Sequence, residues 1–532
     1  MAELKKYIYF FEEGSNDMKN ILGGKGAGLA EMTRIGLRTP PGFTITTEAC
    51  NYYFVNGKLP GGLWDKIVES VHELEKRTGR TFGDGPKILL VSVRSGAPVS
   101  MPGMMDTVLN LGMNEKNVDI LASETSNLRF AWDSYRRFVQ MFGRIVLGIE
   151  GDSFEKIITD IKNMKRVKND FELTYEDWQI IVKQFKELIS AKGKEIPDDP
   201  YKQLEMAIEA VFGSWKNERA VIYRKINRIP DSLGTAVSIV TMVYGNTGPK
   251  SATGVAFTRN PNTGEKKIYG EYLINAQGED VVAGIRTPSP VEKLKEEIPE
   301  AYKELIRSAE ILENHYKDAQ DIEFTIQDGV FYLLQTRSAK RSAYAAVKIA
   351  LDMLREGKVS EGRAVNMVEP EQLNQLLHPQ VDTKKAGNPI AKGMPASPGA
   401  GSGKIVLTPD DAVKLNHKGE KVILVRNETL ADDVHGIAVS EAVLTARGGM
   451  TSHAAVVARA MGKPAIVGSE DIKIDLQTKK ISFKDKILQE YDEITVDGTT
   501  GQVFLGKVPL VIPEMGNDFQ DFMMLCKSVK RL

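Results

Sequence analysis

Residues 445–468, TARGGMTSHAAVVARAMGKPAIVG, hold the side chain with the most chemical promise in this 532-residue sequence, His453. Imidazole titrates near neutrality, and its neutral form is a nucleophile able to accept a phosphoryl group. Residues 441–445 read as a short apolar strand, Gly448 and Gly449 as a break, and Ala454, Val457, Ala458 and Met461 recur at helical spacing. His453 therefore falls where a strand turns into a helix. The free N–H groups and positive dipole end of a helix start favour an anion. The paired glycines permit close approach of a phosphate, while Thr451 and Ser452 offer hydroxyls to cap the helix or to bond phosphate oxygens. A lone histidine at a helix start also fits a structural role. Here the glycines, the hydroxyls and the small-residue helix agree on a phosphoryl acceptor.

Three further segments carry groups suited to a polyphosphate and a metal. Residues 20–36, NILGGKGAGLAEMTRIG, place Lys25 in a glycine-rich turn ahead of an amphipathic helix bearing Leu29, Met32 and Ile35. A lysine there neutralises phosphate charge while glycines bring the backbone close. The spacing is not that of a Walker loop, and the pattern alone fits an ordinary loop as well. Residues 88–107, ILLVSVRSGAPVSMPGMMDT, begin as a buried strand and end as a loop, with Arg94 where the strand runs out. Its guanidinium fork suits two phosphate oxygens, and equally a surface salt bridge. Finally, DIEFT at 321–325 and LLQTR at 333–337 flank the turn 327–329 and read as a hairpin. Period two puts Asp321 and Glu323 on one face of the first strand, and Gln335 and Arg337 on one face of the second. Paired carboxylates are hard ligands for Mg²⁺, and an arginine opposite can hold a transferring phosphoryl. A polar face turned to water is the alternative.

The remainder reads as the framework for these segments. Residues 114–228 are helical and charged; Thr174 and Asp177 form a capping box, with Trp178, Ile181, Val182, Phe185 and Ile189 along one face. Residues 236–287 alternate as antiparallel strands. Residues 341–388 read as a linker of two amphipathic helices, and PASPGAGSG at 395–403 opens a new domain that closes near Gly506. The segment from Pro513, with Phe519, Phe522, Met523, Cys526 and Val529 at helical spacing, reads as an amphipathic helix with no further chain to bury it.

A net charge of −1 excludes a field that would attract nucleic acid or an anionic membrane. Two distant cysteines, Cys50 and Cys526, fit reduced thiols rather than a metal site. The amino terminus lacks an apolar core with a cleavage site, and no run is long enough to span a membrane, which points to a cytoplasmic location.

GGMTSHAA, together with VRSGA followed by MPGMMDT, resembles the pyruvate phosphate dikinase family, and the resemblance runs along essentially the whole sequence. The related phosphoenolpyruvate synthases usually carry Arg in place of Met450 and diverge after the Arg-Ser of VRSGA. The resemblance implies an α/β and α+β multidomain fold: an ATP-grasp nucleotide domain at 1–340 with a helical insertion at about 114–200, the linker at 341–388, a swivelling phosphohistidine domain at 389–506, and a second linker beginning at 507–532. It implies catalytic roles for His453, Arg337 and Arg94, and nucleotide contacts from Lys25, Arg94 and Arg136. Further contacts are implied for the hinge residues Thr241 and Val243, for Thr253, Glu271 and Glu279 on the facing sheet, and for Gln335 and Arg337. Asp321, Glu323 and Gln335 would bind Mg²⁺, and Thr451 matches a regulatory phosphorylation site of plant members. ATP and inorganic phosphate are the expected substrates. The pyruvate-binding barrel of the family is expected to be absent from this chain, with a separate barrel chain as possible partner. A phospho-relay or regulatory protein delivering phosphoryl to another chain, and a phosphoenolpyruvate synthase-like half-enzyme, are the competing expectations.

Overall fold

Short β-branched runs separated by long helices fold, in this computed structural model, into two compact units: residues 1–249 with Tyr332–Gln335, and Lys250–Phe331 with Thr336–Leu532. The structure describes all residues except 1–4, 102, 279–286, 376–379, 383–384, 431–432, 485, 512–516 and 530–532. The division differs from the expected domains, since it parts the 1–340 segment after Pro249.

In the first unit, strands β1 (Ile8–Phe10), β2 (Gly42–Ile45), β3 (Val91–Gly96), β4 (Thr107–Leu111) and β5 (Ala236–Thr241) form one sheet in the order β1-β2-β5-β3-β4. Every neighbouring pair is antiparallel. The apolar run of β5 places it at the centre, buried until its last residue, Thr241. The helical insertion comprises Val118–Thr125, Leu128–Met141, Gly151–Lys165, Tyr175–Ala191, Pro200–Gly213 and Glu218–Ile226, and so runs past the expected end near residue 200. Its Phe138, Phe154, Trp178, Phe185 and Phe212 join Phe43, Val91 and Ile239 of the sheet in a single core. The capping box is formed, with Thr174 N–H donating to Asp177 Oδ2 at 3.0 Å and Asp177 N–H to Thr174 Oγ1 at 3.4 Å.

In the second unit, β6 (Ala252–Phe257), β7 (Tyr269–Ile274), β8 (Ser289–Pro290), β9 (Gln320–Gln327) and β10 (Val330–Ser338) are ordered β10-β9-β6-β7-β8. Asp328 and Gly329 turn β9 into β10 with φ of 51° and 83°, the left-handed pair that a tight hairpin demands. The linker holds three helices rather than two, Ala343–Arg355, Glu361–Asn366 and Pro370–Gln375. The tail helix Asn517–Val529 is not left unburied, contrary to the sequence expectation. Its Phe522 and Leu525 sit in one core with Ala346, Ile349, Ala350 and Met353 of the first linker helix, and Arg355 Nη2 bonds Asp521 Oδ2 at 2.8 Å.

The linker leads through β11 (Gln380–Val381) into a large sheet. Its strands are β12 (Ala391–Lys392), β13 (Met394–Ser397), β14 (Ala400–Val406), β15 (Val422–Arg426), β16 (Ala442–Thr445) and β17 (Ala465–Val467), followed after a small antiparallel sheet of β18 (Ile472–Asp475), β19 (Lys480–Phe483) and β20 (Lys486–Gln489) by β21 (Glu493–Asp497) and β22 (Gln502–Leu505). The order is β12-β22-β21-β14-β15-β16-β17-β13, with β14 to β17 mutually parallel. Strand β23 (Leu510–Val511) returns to pair with β11. Parallel neighbours need a crossover, usually a helix. The crossover from β16 to β17 is the helix His453–Ala460, whose first residue is the histidine.

Candidate active site

The chain leaves the carboxyl end of β16, where open α/β sheets characteristically bind ligands. Gly448 has φ of 104°, a conformation costly for any side chain, and lets the loop turn back toward the helix. Ser452 is the N-cap residue in extended geometry but makes no side-chain capping bond, so Thr451 lies outside the helix and is not its cap. Ser452 Oγ and His453 Nδ1 are both buried without a hydrogen-bond partner. Burial pulls the His453 pKa below that of a free imidazole; Asp433 opposes this and Lys340 reinforces it. The burial thus favours the neutral ring. Arg426, at the end of the neighbouring β15, donates from Nη1 to Leu407 O at 3.0 Å and pairs through Nε with Asp433 at 3.4 Å.

Two side chains brace the loop from below. Arg459, 3% exposed, donates from Nε to Ala455 O at 3.1 Å and from Nη2 to Met450 O, joining the last helical turn to the residue that precedes Thr451. Sequence reasoning missed Arg459, although an arginine among small residues six positions after His453 was the signal. Burial, with partial compensation from Tyr269, Asp321 and Glu271, pushes its pKa down to about 10. Glu271 is 9% exposed and accepts the Met450 N–H. Burial raises its pKa against the pull of that N–H and of Arg459. A Cβ on Gly449 would lie 2.1 Å from Glu271 Oε2. The second glycine thus makes room for this carboxylate, whereas the sequence suggested room for an incoming phosphate.

The β9–β10 hairpin assembles as its alternation requires. Arg337 Nε bonds Asp321 Oδ2 at 2.7 Å, and Arg337 Nη2 lies 3.5 Å from Glu323 Oε1. Burial raises the Asp321 pKa despite the neighbouring Arg337, and Asp321 Oδ1 is buried with no partner. Among the described residues no cluster of three or more His, Cys, Asp or Glu has metal-holding geometry. Mg²⁺ does not need one, because it keeps waters and takes one or two carboxylates along with substrate phosphates. The orphaned Asp321 Oδ1 and the adjacent Glu323 fit that mode. Gln335 falls in the four residues of β10 grouped with the first unit, and Glu279 lies outside the described residues. Thr253, 3% exposed, spends its hydroxyl on Phe324 O at 3.2 Å within the sheet.

In the first unit the glycine-rich segment is a helix, Lys19–Arg34, broken at Gly23 with φ 67° and ψ 168°, rather than a turn preceding a helix. Lys25 sits just after the break. Gly24 N–H donates to Ala97 O at 2.8 Å, and a Cβ on Gly23 would fall 1.8 Å from Gly96 O, so the break is seated on the end of β3. That strand carries Arg94, whose Nε donates to Ser92 Oγ at 3.0 Å. Lys25 and Arg94 are thereby drawn to one end of the sheet. Arg94 pairs with Ser238 and Val91 with Thr241, so Thr241 is displaced from Arg94 by three residues, about 10 Å along the strands. Its Oγ1 is buried without a partner, and Val243 follows in the connecting segment. Arg136, expected to contact the nucleotide, is 5% exposed, bonds Asp133 and Gln140, and stacks 4.5 Å from the Trp178 ring inside the helical insertion.

The fold and these sites define a multidomain, mixed α/β protein in which a nucleotide-binding region is joined to a domain built around a histidine. Residues 19–69, 53–299 and 289–358 match the family model described as "Pyruvate phosphate dikinase, AMP/ATP-binding domain", and residues 418–501 match "PEP-utilising enzyme, mobile domain". The chain belongs to the pyruvate phosphate dikinase family, a family of phosphotransferases. It is 52% identical over 98% of its length to the chloroplastic pyruvate, phosphate dikinase of Mesembryanthemum crystallinum, covering 55% of that relative. It is 48% identical over 99% of its length to pyruvate, phosphate dikinase of Rhizobium meliloti, covering 61%, and 50% identical to the chloroplastic Zea mays protein, covering 56%. The chain thus spans little more than half the length of these relatives. The expectations of a missing barrel and of a separate barrel chain find no support in these comparisons and are not carried forward. No helix among the described residues is long and apolar enough to cross a membrane. Relatives named chloroplastic stand beside a bacterial one, so the comparisons do not bear out the cytoplasmic expectation.

Proposed function

We propose that this chain phosphorylates its own His453 from ATP in a phosphate-dependent reaction, as the first half of a pyruvate phosphate dikinase cycle. The observation that carries this reading is His453 at a helix start, with its Nδ1 and Ser452 Oγ both buried without a partner, in a unit that also holds the Asp321–Arg337 pair. In the proposal, residues 1–340 are an ATP-grasp domain in which Lys25, Arg94 and Arg337 grip phosphates, and Thr241 and Val243 border the base. Asp321 and Glu323 would hold Mg²⁺, which when bound neutralises charge on the triphosphate. With Nδ1 buried, Nε2 is the attacking nitrogen and the ring proton resides on Nδ1. Nε2 bonds to the β-phosphorus as the bond from that phosphorus to the AMP oxygen breaks. Inorganic phosphate then removes the γ-phosphoryl as pyrophosphate, leaving the β-phosphoryl on His453. Such transfers depend on alignment and charge neutralisation more than on covalent assistance. Passage of the phosphoryl to pyruvate, the substrate in the relatives' name, is the second half of the proposed cycle.

The test is incubation with ATP labelled at the β or the γ position, with Mg²⁺, with and without phosphate. Acid-labile label on His453 from the β position, with pyrophosphate formed only when phosphate is present, supports the reading. Absence of label in every condition overturns it and leaves a phospho-relay role.

A further inference from the structure

Between β16 and the histidine helix the loop is pinned at its two ends. Ala446 N–H and Arg447 N–H donate to Arg426 O and Asn427 O at 3.0 and 2.8 Å, and Ser452 N–H donates to Gly449 O at 3.0 Å. Met450, three residues ahead of His453, is held instead by side chains: Glu271 accepts its N–H, and Arg459 Nη2 donates to its carbonyl. Arg459 stands near the far end of the helix His453–Ala460, yet its side chain folds back along that helix. Its Nε reaches Ala455 O at 3.1 Å, one turn or about 6 Å toward the helix start. A guanidinium bonded to the carbonyls of residues 450 and 455 lies beside the first turn and bridges the chain on either side of the histidine. Its central carbon lies 5.7 Å from the centre of the Phe257 ring. Stability does not account for this arginine. It is 3% exposed, Nη1 is buried with no partner, and among the described residues no carboxylate pairs with it. Burying an unpaired cation and leaving a donor unmet are both unfavourable, and such a group kept beside a reactive side chain points to a functional constraint.

We propose that Arg459 is a positioning residue for phosphoryl transfer: by tying the Met450 carbonyl to the Ala455 carbonyl it fixes the loop ahead of His453 and so aims Nε2 at the incoming phosphorus. The proposal rests on the autophosphorylation reading above. In that step the Nε2 lone pair forms the bond to the β-phosphorus, and the bond to the AMP oxygen breaks with its electrons going to that oxygen. Attack in line with the leaving oxygen demands alignment, and Arg459 acts on alignment without touching the reacting atoms. Arginine suits the task because its planar fork presents several donors in fixed directions, so one side chain can hold two carbonyls at a set separation. Glu271 holds the other end of the same Met450 peptide group, but it comes from β7, whereas Arg459 belongs to the histidine helix itself.

The experiment compares wild type, Arg459→Met and Arg459→Lys in two labelling reactions of His453. One is single-turnover labelling from β-labelled ATP with Mg²⁺ and phosphate, which needs Nε2 aimed at a bound phosphorus. The other is direct phosphorylation by phosphoramidate without nucleotide, in which a small reagent approaches freely and needs only an accessible imidazole. Arg459→Met is expected to slow labelling from ATP by roughly 10²-fold, the cost of misplacing a reacting group by about an ångström, without moving the ATP concentration at half-maximal rate. Its labelling by phosphoramidate and its thermal unfolding should stay close to wild type. Arg459→Lys, which can still donate to the Met450 carbonyl, is expected to recover part of the rate. Labelling from ATP that is equal in Arg459→Met and wild type overturns the role of Arg459 and leaves the autophosphorylation reading standing. Failure of wild type to label from ATP, while phosphoramidate still labels it, overturns both. Equal slowing of Arg459→Met in the two reactions, or a lowered unfolding temperature with no recovery in Arg459→Lys, overturns the proposal in favour of a purely structural arginine.

Discussion

Replacing Gly23 with alanine tests whether the break in the helix Lys19–Arg34 sets the phosphate end of the first unit. Gly23 and Gly36 both have positive φ, 67° and 80°, at the start and just past the end of the same helix. Left-handed backbone costs a residue with a Cβ about 1–2 kcal/mol, so both substitutions carry that strain. They differ in surroundings: nothing lies within 4 Å of a Cβ on Gly36, whereas one on Gly23 would stand 1.8 Å from Gly96 O. Real Cβ atoms essentially never approach closer than 3.0 Å, so the break must lift off β3 by more than an ångström. The lift breaks the bond from Gly24 N–H to Ala97 O, worth about 1 kcal/mol, and carries Lys25 away from the strand of Arg94. Gly23→Ala should therefore lose about 3 kcal/mol of stability against about 1–2 for Gly36→Ala. Displacement of a positioning group by an ångström costs on the order of 10²-fold in rate. Urea unfolding of the two variants measures the first difference, and single-turnover labelling of His453 measures the second. Equal stability and equal labelling rates in the two variants would refute the assignment of the break as a docking contact for Lys25.

The depressed pKa of His453 places the acid limb of labelling below the free-imidazole value of about 6.5, because the ring must lose its proton to attack; a limb at or above that value contradicts the burial argument. The same shift means that His453 contributes stability above that value, which is lost as pH falls through the lowered folded pKa. Arg259, wholly buried, is held by Glu313 Oε1 at 2.7 Å and Oε2 at 3.0 Å and by Glu356 Oε1 at 3.0 Å. Truncating it to methionine leaves buried carboxylate charge and should cost about 3–5 kcal/mol, read by denaturant midpoint. Phe522→Ala in the tail helix should cost about 3–5 kcal/mol, and a change under half a kilocalorie would mean that this helix does not share the linker core.

Elements with a strong local period were legible in the sequence. The capping box at Thr174, the Asp328–Gly329 hairpin and the strand-to-helix turn at His453 all depend on neighbours within a few residues. The hairpin also brought Asp321, Glu323 and Arg337 together as its alternation required. What could not be read were relations made by distant segments. Nothing near Arg136 in the sequence reveals Trp178 beneath it. Gly449 pointed to a phosphate because its neighbour Glu271 lies far back along the chain. The tail helix looked unpartnered because the face that covers it belongs to residues 343–366.

The tail helix and the β11–β23 pair together alter what kind of object the histidine domain is. Its entering and leaving chains meet twice, first where Gln380 lies opposite Val511 and again where Arg355 reaches Asp518 and Asp521. Topologically the domain is a cassette inserted into a closed clasp, not a bead on an open string. The ends of such a cassette are adjacent, so residues 382–509 could be excised and the gap bridged by a few residues without drawing distant surfaces together. New termini could likewise be opened on the cassette while its old ones were fused. A nick in one of the two connecting strands would leave the cassette attached by the other.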